Sequence, residues 1–379
     1  MDTPATASRQ PVAVVWESFG PTHHDRLRAL ARAGFDVHAI ELSETSKDYI
    51  WERSESDLYR QQTLCRAGQT GRLRLALALV RACMASPARS FFFCHYERPA
   101  VFLAALCVRM RGRKAFTMLD SKFDDYPRRL PREILKALIL WPYNGAMVAS
   151  LRSRDYLRFL GMPAARIALG YDTIDTARLV QHAAEHHGAP AFSERPFLVV
   201  ARLVPKKNIA AILHAYAAYR ARSNDGRRLE IIGYGPLQPA LEQRAQELGI
   251  REHVDFRGRQ EIPDVAVAMK RALALVLAST EEQFGLVINE ALAIGLPVIV
   301  SSNAGAVDVL VENLGNGIVI DPNNPETITR AMDHVAQDET RWAAMSHHAS
   351  ATASRGDAAC FSDSARALIR GDVETRALP

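Results

Sequence analysis

Four side chains in the second half of the sequence have types and spacings suited to chemistry. They are Arg202 and Lys207 in FLVVARLVPKKN, and Glu282 and Glu290 in STEEQFGLVINEALAIGLPVI. Arginine offers phosphate oxygens a planar fork and lysine a compact charge, two complementary ways of holding a diphosphate. Glu290 stands among Val287, Ile288, Ala291, Leu292 and Ile294. A carboxylate buried there must be partnered or must face a cleft where hydroxyls donate to it, because an unpaired buried charge is costly. Taken alone, it reads equally well as a solvent-facing glutamate on a short helix.

These residues need elements to position them. ALALVLAST has the composition of a buried parallel strand. It is followed by the polar loop EEQFG, by a helix LVINEALAI stopped at Gly295 and Pro297, and by a second buried strand, PVIVSS. The loop and helix start therefore belong at the carboxyl edge of a sheet, where open α/β folds bind ligands. Amides at Phe284, Gly285 and Leu286 begin that helix without intrahelical partners, and its dipole favours an anion there. Arg202 and Lys207 sit at a strand–helix junction and belong to the same edge.

Strand-like and helix-like segments alternate along the whole chain, as in PVAVVWESFG, DRLRALARAG and FDVHAIEL near the start. This alternation predicts an α/β protein with doubly wound parallel sheets. The weakly periodic VQHAAEHHGAPAFSERP predicts a connection, giving an N-terminal domain at 1–190 and a second at 191–350. The tail at 351–379 is expected to close with a helix, FSDSARALIRG, packing back toward the first domain.

Composition excludes several classes. The five cysteines are scattered without a C-x-x-C pair, which indicates neither a disulfide framework nor a zinc site. No apolar run reaches bilayer length and no signal peptide is evident, so a cytoplasmic protein, soluble or peripheral, is expected. Residues 1–190 hold 27 Lys and Arg against 19 Asp and Glu, and the remainder 20 against 23. The basic first half, YPRRLPREILKALILW above all, suits an anionic membrane surface. No nucleic-acid module accompanies it. D-x-D, G-x-S-x-G, H-E-x-x-H, P-loop and nicotinamide signatures are missing.

ARLVPKKN, IIGYGP, VDFRG, STEEQFGLVINEALAIGLPVI and NGIVIDPNNPETI together resemble the donor domain of retaining glycosyltransferases of family 4. The resemblance is dense over about residues 197–330, with E-x7-E at Glu282 and Glu290 and R-L-x-x-x-K at Arg202 and Lys207. It implies a GT-B fold, two Rossmann-like domains facing a central cleft, and transfer from a nucleotide sugar to an acceptor hydroxyl on a glycan or lipid-linked glycan, with no metal or other cofactor. Glu290 would take the ribose diol, Glu282 the donor sugar, and Arg202 and Lys207 the diphosphate. The Phe284, Gly285 and Leu286 amides would hold its oxygens or the sugar. Gly233 and Gly235 resemble the family's glycine loop, Arg257 and Gly258 its base-binding segment, and Gly20 its first loop, with His23 or His24 nearby. The histidine usual after the fifth strand is replaced by Asp120 or Ser121, and His95 follows the preceding strand. LGYDTID, residues 169–175, resembles the segment before the family's interdomain connection. A GT-B nucleotide-sugar epimerase and a non-catalytic nucleotide-sugar-binding subunit are the alternatives.

Overall fold

The computed structural model describes residues 9–44, 56–65, 71–185, 188, 190–223 and 226–373. Two compact units result: residues 1–173 with 358–379, and residues 174–357. The first holds a parallel sheet of β1 (Gln10–Trp16), β2 (Phe35–Glu41), β3 (Arg60–Thr63), β4 (Ser90–Cys94), β5 (Lys114–Leu119), β6 (Gly145–Val148) and β7 (Ile167–Leu169). Their order is β3-β2-β1-β4-β5-β6-β7. The second holds β8 (Phe197–Val200), β9 (Leu229–Ile232), β10 (Val254–Gly258), β11 (Ala274–Leu277), β12 (Val298–Ser301) and β13 (Gly317–Ile320), ordered β10-β9-β8-β11-β12-β13.

The central strands are apolar on both faces because helices cover both sides of each sheet. Val12, Val14, Phe91, Phe92 and Phe93 are fully buried in the first sheet, as are Phe197, Leu198, Val276 and Ile299 in the second. In each sheet one pair of neighbours marks where the winding direction reverses, β1 beside β4 and β8 beside β11. Loops leaving the carboxyl ends of such a pair diverge and open a crevice.

The units divide at Thr173 and Ile174, not near residue 190. The cause is a helix, Thr176–Ala184, whose second half, from Val180, runs into the expected connection. Its start is capped by the Asp175 side chain, which accepts from the Arg178 amide at 3.0 Å. It packs on the helices Ile262–Arg271 and Leu286–Ala293, so its buried face belongs to the second unit. The chain changes units again at Asp357, where Ile174 donates to the Gly356 carbonyl at 3.0 Å. The closing helix Ala358–Arg370 packs on Pro21–Arg32, β6 and β7 of the first unit. Of the expected connection, residues 186, 187 and 189 lie outside the described residues, as do 1–8 at the start and 374–379 in the tail.

Among the described residues, no helix is long and apolar enough to cross a membrane.

Candidate functional site

In the second unit, the loops after β8 and β11 meet across the reversal point. Lys207 lies in a short 3-10 turn, Pro205–Lys207, and its ammonium donates to the Glu282 carboxylate in the loop after β11. Both side chains are largely covered, at 16% and 14% exposure, so solvent screens the pair only in part. Ser279 Oγ, fully buried at the end of the same loop's strand, donates to Glu282 Oε2 at 3.0 Å. The Thr280 amide donates to the Lys206 carbonyl at 2.9 Å, and Asn303 Nδ2 donates to the Thr280 carbonyl at 2.8 Å. Lys207 and Ser279 thus converge on one oxygen of Glu282, while the bonds of Thr280 fix the loop that carries it.

Arg202, half-buried, leaves the end of β8 on the same edge. Gly233 and Gly235 follow β9 and press against the chain on either side of Arg202: a Cβ at Gly233 would stand 1.8 Å from the Ala201 carbonyl oxygen, and one at Gly235 2.4 Å from that of Leu203.

Gly285 precedes the helix Leu286–Ala293 with φ +100°, a left-handed turn that brings the helix start toward the Lys207–Glu282 pair. Phe284 is buried and its carbonyl accepts from the Ala306 amide at 3.0 Å, which fixes the turn from below. Leu286 is half-buried at the first helical position. Glu290, one turn on, is half-buried between Asn289 and Ala291, both buried. It is therefore not enclosed in the core.

Arg257 and Gly258 end β10, the edge strand, two places from β8 and so about 10 Å away. The Arg257 side chain is turned to Glu230, at 2.8 Å. The Gly258 carbonyl accepts from the Gly233 amide at 2.9 Å, which links β10 to the glycine loop.

The first unit repeats the device at its own reversal point. Glu17 follows β1, and His95 and Arg98 follow β4. Arg98 Nη2 donates to Glu17 Oε2 at 2.7 Å, with His95 Nε2 3.8 Å from the same oxygen. His95 also lies 3.6 Å from Glu97. Its imidazole is pushed up to about 10, by Cys94 first and by Glu97, against the lowering effect of burial. A raised imidazole, with both ring nitrogens facing carboxylates, suits donating to an anion better than taking up a proton. Its backbone is left-handed, at φ +60°, an uncommon conformation for a residue with a side chain.

Gly20 caps the helix Pro21–Arg32 in an extended conformation, and its amide donates to His23 Nδ1 at 3.0 Å. His23 packs edge-on to Trp16, with ring centres 4.9 Å apart. His24 is buried and hydrogen-bonded to the Tyr59 hydroxyl, and burial lowers its pKa to about 4. Burial, and then the charge of Arg26, also hold the His23 imidazole well below its usual range.

Asp120 follows β5 directly, and its backbone carbonyl accepts from Ser153 Oγ at 2.8 Å. Burial, and then the charge of Asp172, push its carboxyl up to about 7. Asp172 is itself paired with the fully buried Arg26, at 3.1 Å. The folded state therefore keeps a proton on Asp120 between its ordinary value near 3.8 and about 7, a range in which the unfolded chain has lost it. Stability from this group is complete below the lower value and is lost as pH rises through the upper one. Asp120→Asn is expected to raise the denaturant midpoint at pH 8 and to leave it almost unchanged at pH 4. Equal effects at both pH values would refute the shifted carboxyl.

Ser279, Glu17, Arg98, Asp172 and Arg26 had no legible role in the sequence. Only the three-residue spacing of Ser279 and Glu282 could have given a signal, since such a spacing lets a hydroxyl reach a carboxylate across one turn of chain.

Residues 186–353 match the family model described as Glycosyl transferases group 1. Over 145 residues the chain is 34% identical to an uncharacterised glycosyltransferase of Methanocaldococcus jannaschii, a match covering 38% of this chain and 36% of that protein. It is also 34% identical over 163 residues to the GDP-mannose-dependent alpha-(1-6)-phosphatidylinositol monomannoside mannosyltransferase of Mycolicibacterium smegmatis, covering 40% and 41%. The matched part thus spans about two fifths of these relatives' own length. Among solved structures, Anabaena Alr3699/HepE in complex with UDP and glucose superposes with a TM-score of 0.72 at 17% identity, covering 96% of this chain and 100% of that one. The fold is that of the GT-B architecture, with two Rossmann-like parallel-sheet units. Within that fold, the similarity to group 1 glycosyl transferases lies in residues 186–353.

Proposed function

We propose that the protein is a retaining glycosyltransferase of family 4, working without a metal, that moves a sugar from a nucleoside diphosphate to an acceptor hydroxyl. The observation that supports this most is the Lys207–Glu282 pair spanning the β8–β11 reversal point beside the helix start at Gly285. A diphosphate sugar presents oxyanions and hydroxyls side by side, and this edge offers a cation and a carboxylate side by side. Arg202 and Lys207 bind the diphosphate with the amides of Phe284, Gly285 and Leu286. Glu282 orients the sugar hydroxyls and Glu290 accepts from the ribose diol. The amides near Gly258 meet the base.

In the reaction the bond from the anomeric carbon to the leaving phosphate oxygen breaks, and a bond to the acceptor oxygen forms on the same face. The acceptor proton passes to the leaving phosphate. Charge grows on the diphosphate, and each preorganised donor aimed at it contributes about 3 kcal/mol. His95 and Asp120 act on the acceptor side, His95 as an anion-binding cation. The acceptor is a hydroxyl of a glycan or lipid-linked glycan in surface-polysaccharide synthesis. The named mannosyltransferase relative acts on a phosphatidylinositol mannoside, in line with an acceptor of this kind.

The test is nucleotide release from a panel of UDP-, GDP- and ADP-sugars, with Glu290→Ala in parallel. Release from one donor, lost in the variant, supports the assignment and names the sugar. Absence of both hydrolysis and calorimetric binding for every donor sinks it.

A further inference from the structure

The helix Leu130–Ile139 sits on the first unit inside out. Its inward side carries charge: Glu133 is buried and accepts from the Tyr156 hydroxyl at 2.6 Å, while Lys136 Nζ donates to Glu133 at 3.0 Å and to Tyr156 at 2.8 Å. Arg128 closes the cluster, stacking over the Tyr156 ring at 4.4 Å and donating to its hydroxyl at 3.1 Å. With every polar group of this cluster engaged, the helix has one fixed rotation.

That rotation turns Leu130, Ile134, Leu135 and Leu138 outward, with Trp141 just beyond the helix end. They are 67%, 54%, 56%, 66% and 77% exposed. Phe123 and Phe159, in edge contact at 5.3 Å, and Tyr126 add exposed rings beside them. Ordinary surface helices turn this stripe inward, and an apolar patch of this size marks an interaction site.

We propose that this face inserts into the interfacial region of an anionic lipid leaflet. Charge complementarity selects that occupant. Arg129 and Arg132 are exposed at the start of the same helix, and neither is paired with a carboxylate among the described residues. Flexible cations flanking an apolar stripe, with Trp and Tyr at its border, are the features that seat a helix between headgroups and acyl chains. The inference does not rest on the donor-site reading, since the face would bind lipid in an inactive enzyme as well.

Co-sedimentation with phosphatidylcholine vesicles, plain or containing phosphatidylglycerol, tests it on the full chain. The wild type is expected to bind the mixed vesicles and to be released by salt. The double variants Ile134→Ser/Leu138→Ser and Arg129→Glu/Arg132→Glu are each expected to weaken binding by at least about tenfold. Because all four positions are exposed, circular dichroism and nucleotide release should match the wild type. Failure of the wild type to bind phosphatidylglycerol vesicles overturns the proposal, as does unchanged binding by the serine variant. A concentration-dependent dimer that the serine variant dissolves also overturns it, since a second copy would then cover the face.

Discussion

Lys207→Ala is expected to lower kcat about 100- to 1000-fold, the size of effect seen when one preorganised donor to a developing oxyanion is removed. The ammonium does two jobs. In the proposed mechanism it faces the charge that grows on the leaving diphosphate, and through its bond to Glu282 it fixes the carboxylate proposed to orient the sugar. Ser279 still donates to Glu282 in the variant, so the loop keeps one of its anchors. Donor affinity should therefore fall less than the rate of transfer. Lys207→Arg should not restore the rate, because a planar fork does not fit the space of a compact charge that is already 16% exposed against its partner. Single-turnover kinetics with the donor found in the panel would measure this. A Lys207→Ala enzyme within threefold of wild type, roughly 0.7 kcal/mol in barrier, would remove the residue from the mechanism.

Gly233→Ala is expected to destabilise the second unit by about 3 kcal/mol or more, combining backbone strain with overpacking. Two independent causes act at this position. Its φ of +141° is a conformation that side chains rarely adopt, and the added Cβ would lie 1.8 Å from the Ala201 carbonyl oxygen, on backbone that has no rotamer to change. The collision must move the Ala201–Leu203 chain, and with it Arg202. Thermal unfolding should shift down by about 10 °C and donor binding should weaken in parallel. An alanine variant that unfolds at the wild-type temperature with normal donor affinity would show that the two loops have room the geometry denies.

The proposed donor site was legible to different depths. Strands β8, β11 and β12 stand almost where apolar runs placed them, since a parallel strand buried on both faces needs an unbroken run of apolar residues. Lys207 and Glu282 were recognisable by type and spacing, but their direct pairing was not. It depends on β8 and β11 being neighbours, a non-local choice of strand order. Strand β3, RQQT, escaped notice because a polar edge strand carries no apolar pattern. The unit boundary was placed differently for a similar reason: the second half of Thr176–Ala184, from Val180, looked like the start of a weak connection, and only the helix's packing on two helices of the second unit gives it a home.

The sequence by itself determined the alternation of strands and helices, the two doubly wound sheets and the cations and carboxylates of the second one, because these follow from local periodicity and residue chemistry. Tertiary structure alone decided which loops meet, where the chain changes units, which carboxyl keeps its proton and which face of Leu130–Ile139 looks outward. That helix is amphipathic in either orientation. Only Tyr156, waiting beneath it with a hydroxyl for Glu133 and Lys136, turned its charged side in and left its apolar side exposed.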